Sequence, residues 1–256
     1  RKIKDSKESP LIAVIGANNP KKNYEKKMDK QLVRKIKDSK ESPLIAVIGA
    51  SNPKENYEKK MGIEVGYYLK EFFRSKGGYI FTGGVDGVGV DVYTGVMKYC
   101  IDKTNNSIND NFFILIPHYF EISDSNHNFL IQETYEPPSA YESLGMLSKK
   151  GQLDKIIIGI DMEERRKYLA MIADIIVVVN GGHGTIHEAV EGLKNNKPVI
   201  NLFNTGGATK ILKDFDEGRK VDLQGIIKKD ELNSYKNNLH QAKDVNEMIN
   251  LIKYLS

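Results

Sequence analysis

From residue 44 onward, short continuous apolar runs alternate with stretches of helical periodicity. Leu44–Gly49 (LIAVIG) reads as a strand, and Asn56–Ser75 as a helix with Met61, Val65, Tyr68, Leu69 and Phe72 on one side. Tyr79–Phe81 is a short strand that runs into Thr82-Gly83-Gly84, and Gly87–Cys100, rich in Val and Gly, is a helix. Phe112–Pro117 and Lys155–Ile160 are strands, Met162–Ala173 a helix and Ile175–Val179 (IIVVV) a strand. Gly184–Asn195 is a helix, Pro198–Phe203 a strand and Val245–Leu255 a closing helix. Ile/Val runs without polar alternation suit strands buried on both sides, as in a parallel sheet covered by helices. The pattern predicts an α/β protein with a single doubly wound parallel sheet. In such sheets ligands bind beyond the carboxyl ends of the strands, so chemistry is sought there.

An internal repeat precedes this pattern. Residues 1–28 and 34–61 are the same except for Asn18 against Ser51 and Lys22 against Glu55. Nothing after residue 61 continues the 33-residue period, so this is a local duplication and not a solenoid. Each copy carries one LIAVIG strand pattern, but a sheet has one place for its first strand. The expectation is that residues 44–49 take it. Residues 1–33 then form an appendage, an extra edge strand or a segment swapped into a neighbouring subunit.

Charge sharpens this division. The net charge of +4 is unevenly spread: residues 1–43 hold thirteen Lys or Arg against six Asp or Glu, a local +7, which leaves −3 for the rest. A basic leader attracts phosphates or nucleic acid in some proteins and is a solvated tail in more; nucleic acid is not expected as the main partner. Hydrophobic residues make up 40% of the 256, enough for a sizeable core. No apolar run approaches the roughly 18 residues of a membrane helix, so no membrane partner is expected. The charged start, with only six apolar residues behind it, does not read as a secretory signal. Cys100 is the single cysteine, so no internal disulfide forms; a reducing, cytoplasmic location is expected.

Three strand ends are unusual. They are Gly49-Ala50-Ser51-Asn52-Pro53, the run from Thr82 to Gly89, and Asn180-Gly181-Gly182-His183-Gly184-Thr185, which leads directly into a helix. Glycines let backbone N–H groups approach an anion, and a helix N-terminus adds partial positive charge. Each loop alone also fits a packing role; together they point to a phosphorylated ligand. The dinucleotide fingerprint G-x-G-x-x-G is missing after the first strand, and G-x-x-x-x-G-K-[ST] is absent. His183 and His187 lie four apart, a metal-binding spacing, but with no third ligand evident they read as polar groups at the pocket edge. His118 and His127 fall in a long polar loop and receive no role.

The stretch from Met162 through Arg165, Arg166 and Lys167 to Asn180-Gly-Gly-His-Gly-Thr-Ile-His-Glu188 resembles the motif of the LOG (Lonely Guy) family, within the SLOG superfamily of Rossmann-like nucleotide-binding proteins. The family pattern is M-x-x-R-K followed by P-G-G-x-G-T-x-x-E. Met162, Arg165, Gly181, Gly182, Gly184, Thr185 and Glu188 match it without a gap. The turn at Gly49 and Ser51 is similar to the family's first motif, and Thr82-Gly83-Gly84 to its G-G-G turn. The resemblance spans roughly residues 43–205, and makes 34–256 a LOG-like domain. It departs at Asn180, which replaces a proline, at Arg166, which replaces a lysine, and at Val88-Gly89-Val90, where L-M-G is common.

LOG proteins cleave the N-glycosidic bond of a nucleoside 5′-monophosphate, releasing the base and ribose 5-phosphate. The resemblance implies Glu188 as the carboxylate that stabilises an oxocarbenium-like transition state and orients water, placed in the first turn of its helix. It implies Arg165 as a ligand for phosphate or the leaving base. Gly181, Gly182, Gly184 and Thr185 would hold the 5′-phosphate, with Gly49, Ser51, Gly83 and Gly84 on the opposing side. No metal or redox cofactor is called for, and a homodimer is implied. The alternative within the superfamily is a non-catalytic protein that binds or senses a nucleotide or the molybdenum cofactor.

Overall fold

Leu44, Ala46 and Ile48 enter one apolar core while Ile45 and Val47 enter another, so the first strand, β1 (Leu44–Gly49), is buried on both sides and lies inside the sheet. The computed structural model describes residues 43–53, 56–83, 87–103, 112–117, 154–159, 161–223 and 225–256. The first copy of the repeat, Gly84 and the loop with His118 and His127 lie outside the described residues.

After β1 come α1 (Lys59–Lys76), β2 (Tyr79–Thr82), α2 (Val88–Lys103), β3 (Phe112–Ile116) and β4 (Asp154–Ile157). The chain continues through α3 (Met162–Ile172), β5 (Ile175–Val179), α4 (His183–Lys194) and β6 (Val199–Leu202). It ends with α5 (Ala208–Asp216), α6 (Lys229–Asn233), β7 (Leu239–Ala242) and α7 (Val245–Leu255). The described strands form one sheet in the order β4-β3-β2-β1-β5-β6-β7, and every neighbouring pair is parallel.

This order follows from right-handed crossovers. From β1 the chain steps outward to β2 and β3, which puts α1 and α2 on one face. From β4 it returns past β1 to β5, β6 and β7, the opposite direction, so α3, α4 and α5 fall on the other face. The result is the doubly wound, Rossmann-like arrangement that the Ile/Val runs predict. In β5, Ile176 and Val178 face one core and Ile175, Val177 and Val179 the other, which is why IIVVV shows no alternation. Each such side chain contributes roughly 1.5–3 kcal/mol on burial.

Glycine sets how closely α1 and α2 cross. A Cβ at Gly66 would stand 1.9 Å from the carbonyl oxygen of Val92, and one at Gly95 would stand 2.0 Å from that of Ile63. The helix backbones are in contact there, which accounts for glycine inside an otherwise regular helix. Elsewhere the termini are held by local side chains. Asp161 Oδ1 accepts from the backbone N–H groups of Glu163 and Glu164, both at 2.9 Å, and Asp244 caps α7 through Glu247 N.

β1, β5 and α7 run from the first to the last residue expected, while each other expected element moves at one or both ends by one to three residues. α5, α6 and β7 are additions to the expected set. β7 reads LHQA, too short and too polar for an apolar-run criterion, yet it pairs in register with β6 from Val199↔Leu239 to Leu202↔Ala242.

Candidate functional site

The strand order reverses between β1 and β5, which run parallel and are paired at their ends at Gly49↔Val179. Loops leaving those two strands part toward opposite faces, which opens a crevice at the reversal. A cavity of about 500 Å³ lies there, between the loop after β1, the start of α3, and the loop that runs from β5 into α4.

The first wall is the turn from Gly49 to Asn52. A Cβ at Gly49 would meet the Val179 carbonyl oxygen at 2.4 Å and the Val88 side chain at 2.7 Å, so only glycine fits. Val88 N donates to Ala50 O at 3.1 Å. Gly87, at φ +65°, packs beneath the carbonyl oxygens of Ala50 and Ser51. The N-terminus of α2 is therefore tied back to protein carbonyls.

The second wall is the turn from Asn180 to Thr185. Asn180 is buried at φ +54°, in the left-handed region. Its backbone N–H donates to Thr205 Oγ1 at 2.7 Å, and its side-chain amide donates to the Thr205 carbonyl oxygen. A proline, with φ fixed near −65° and no N–H, cannot make this turn. Gly181 follows at φ +113°, with its carbonyl oxygen accepting from Ala208 N at 2.7 Å. Thr185 is folded against Gly181, and its Oγ1 would lie 2.5 Å from any Cβ at that position. The loops after β5 and β6 thus interlock.

What this bracing presents is the start of α4. Gly182 is its N-cap, with no side-chain cap, no acidic residue in the first turn and open space within 4 Å of where a Cβ would be. The leading N–H groups of a helix that lack a cap carry partial positive charge and suit an anion. By contrast α3 and α7 are capped by aspartates, and α2 by Ala50.

Behind the opening lies a buried ion pair. Arg165 Nη2 stands 2.6 Å from Glu188 Oε1, with the residues 2% and 6% exposed. Glu188 occupies the second turn of α4 and not the first, because the helix begins at His183. The rest of the guanidinium is less satisfied: Arg165 Nε and Nη1 are buried without hydrogen-bond partners. Nη1 rests against Gly83, where a Cβ would approach it to 2.2 Å. Removing two charges from water is expensive, so such pairs add little to stability.

Arg166 reaches the other side of the same opening, with Nη2 2.8 Å from where a Cβ on Gly184 would be. Burial first, and then the Arg166 charge, hold the His187 imidazole below the ordinary histidine range against the opposing pull of Glu191. His183, at the first position of α4, is exposed on the crevice rim. Among the described residues no three His, Cys, Asp or Glu side chains converge to hold a metal ion.

Of the sequence-predicted residues, Gly49, Ser51, Gly181, Gly182, Gly184, Thr185, Arg165 and Glu188 all line the cavity. Gly83 lies behind Arg165 instead of on the wall, and Gly84 falls outside the described residues. Gly207 joins the wall unexpectedly. A signal for it exists: Thr205-Gly206-Gly207 after β6 repeats the Thr-Gly-Gly pattern of Thr82-Gly83-Gly84. Its φ of +61° brings the backbone close to Gly181, where a Cβ would meet the carbonyl oxygen at 2.2 Å.

No family model matches the chain, and no curated protein matches it in sequence. Solved structures do match. TM1055, a structural-genomics target, aligns at 24% identity and a TM-score of 0.52, over 83% of this chain and 99% of TM1055. The molybdenum cofactor carrier protein MCP from Chlamydomonas reinhardtii aligns at 18% identity and 0.49, over 84% and 98%. The molybdenum cofactor binding protein from the phototrophic bacterium Rippkaea orientalis aligns at 19% and 0.46, over 84% and 97%. The first likeness shows a shared Rossmann-like α/β fold.

Proposed function

We propose that the crevice binds a nucleoside 5′-monophosphate, or a related phosphorylated ligand, and that the protein hydrolyses its N-glycosidic bond. The observation that carries this reading is a juxtaposition: the uncapped start of α4 and the buried Arg165–Glu188 pair open into one cavity at the β1/β5 reversal. A phosphate on the N–H groups of His183, Gly184 and Thr185 places the sugar toward Glu188, one turn further along the helix. Oε1 of Glu188 is engaged by Arg165, which leaves Oε2 for the reacting centre.

In the proposed reaction the bond from C1′ to the base nitrogen breaks and its electron pair leaves with the base. Positive charge grows on C1′ and the ring oxygen, where the carboxylate stabilises it. Water adds its oxygen to C1′, and its proton passes by way of Glu188 to the base, giving free base and ribose 5-phosphate. The LOG-type motif also supports a homodimer, and the single cysteine, Cys100, a reducing, cytoplasmic location.

Binding without turnover is the second reading, favoured by the close Arg165–Glu188 contact, which already neutralises the carboxylate. One assay separates the two. AMP, GMP, CMP, UMP and an N6-modified AMP are incubated with the protein and free base is followed by chromatography. Release that Glu188→Gln abolishes supports hydrolysis. No release, with a nucleotide still raising the melting temperature, supports binding alone.

A further inference from the structure

We infer that Arg166, and not Arg165, is the side chain that neutralises the ligand's phosphate. The inference rests on the nucleotide reading above and assigns the charges within it.

Arg165 already has a counter-ion. Its Nη2 is 2.6 Å from Glu188 Oε1, and its Nη1 rests against Gly83. A phosphate drawn to Arg165 would have to compete with Glu188, and two anions on one cation repel each other. Arg166 differs in having no counter-ion: it forms no ion pair among the described residues, and its Nε, like that of Arg165, is buried without a hydrogen-bond partner. Its Nη2 stands beside Gly184, the second residue of α4, so the free cation and the uncapped helix start meet at one point. Arginine suits that place, because its planar fork can give two parallel hydrogen bonds to phosphate oxygens.

Among the described residues lining the cavity, Arg165, Arg166 and Glu188 are the only ones with Lys, Arg, Asp or Glu side chains. With the first and last paired, Arg166 is the cation that remains among them.

The absence of a Cβ at Gly184 is what lets the guanidinium approach. An alanine there keeps an ordinary helical backbone but puts a methyl group 2.8 Å from Nη2, which must then withdraw.

The test is equilibrium titration of the full chain with AMP, GMP, CMP and UMP, with their nucleosides and with inorganic phosphate. Arg166→Gln should weaken the tightest monophosphate roughly ten- to hundredfold, leave its nucleoside within about twofold, and abolish competition by inorganic phosphate. Arg166→Lys should recover part of the loss. Gly184→Ala should weaken the monophosphate selectively, and it reports on the same contact if Arg166→Gln does not fold. A monophosphate affinity unchanged in Arg166→Gln but lost in Arg165→Gln would overturn the assignment while leaving the nucleotide reading intact. If none of the four nucleotides binds the unaltered protein, the nucleotide reading falls and this inference falls with it.

Discussion

Asn180 and Thr205 are joined twice, through Asn180 N to Thr205 Oγ1 at 2.7 Å and through the Asn180 amide to the Thr205 carbonyl oxygen. Thr205 is itself anchored, its hydroxyl donating to Leu202 O at 2.8 Å. The turn that leads into α4 is thereby fixed to the end of β6. Asn180→Pro should fail here, since proline can supply neither the left-handed φ nor the N–H. Each buried group left unpaired costs about 1–3 kcal/mol. Asn180→Gly keeps both the φ and the N–H and should cost on the order of 1 kcal/mol. Chemical denaturation of the two variants checks the order; a proline variant as stable as the glycine one would refute the geometry.

The Arg165–Glu188 pair is buried in a wall that faces ligand, and its worth should lie in function more than in stability. Arg165→Met alone or Glu188→Leu alone leaves an unpaired buried charge and should lose about 3–5 kcal/mol. The double variant should recover most of that stability and release no base from any nucleotide. Denaturation together with the base-release assay measures both. Additive losses in the double variant would mean that the two side chains contribute independently and that the ion pair is not what holds them.

Gly66 and Gly95 place α1 and α2 in backbone contact. Gly66→Ala raises helix propensity by up to about 1 kcal/mol, but it forces a methyl group onto Val92 O and should lose about 1–3 kcal/mol to overpacking. A net loss, seen as a lower melting temperature at roughly 2–4 °C per kcal/mol, is expected. A rise would show that the crossing tolerates separation.

His187 and His240 are both held below the usual 6.5, mainly by burial. The folded state therefore takes up their protons less readily than the unfolded chain. Stability from these residues is fully present above pH 6.5 and is lost as pH falls from there through their lower folded values. Replacing both with glutamine should make stability less sensitive to the step from pH 7.5 to 5.5 in denaturant unfolding. An unchanged difference between those pH values would remove the histidines as the cause.

Much of this architecture is legible in the chain. Leu44–Gly49 and Ile175–Val179 are recognisable end to end because a strand buried on both sides admits no polar residue. β7 escapes because an edge strand needs only one covered face and can be written LHQA. Eight of the ten proposed site residues converge because glycine at a strand end is informative twice over, for close packing and for anion access. The partnership of Arg165 with Glu188 could not be read in advance, since it joins α3 to α4 across 23 positions. Nor could the left-handed turn at Asn180, which depends on Thr205 from the next strand's loop.

The most direct test is the position of a bound phosphate. Crystals of Glu188→Gln, grown with each of AMP, GMP, CMP and UMP, would locate it. The account predicts the phosphate on the N–H groups of His183, Gly184 and Thr185, beside the Arg166 guanidinium, with the anomeric carbon turned toward residue 188. A phosphate bound elsewhere, or a base in place of the phosphate at the start of α4, would contradict it.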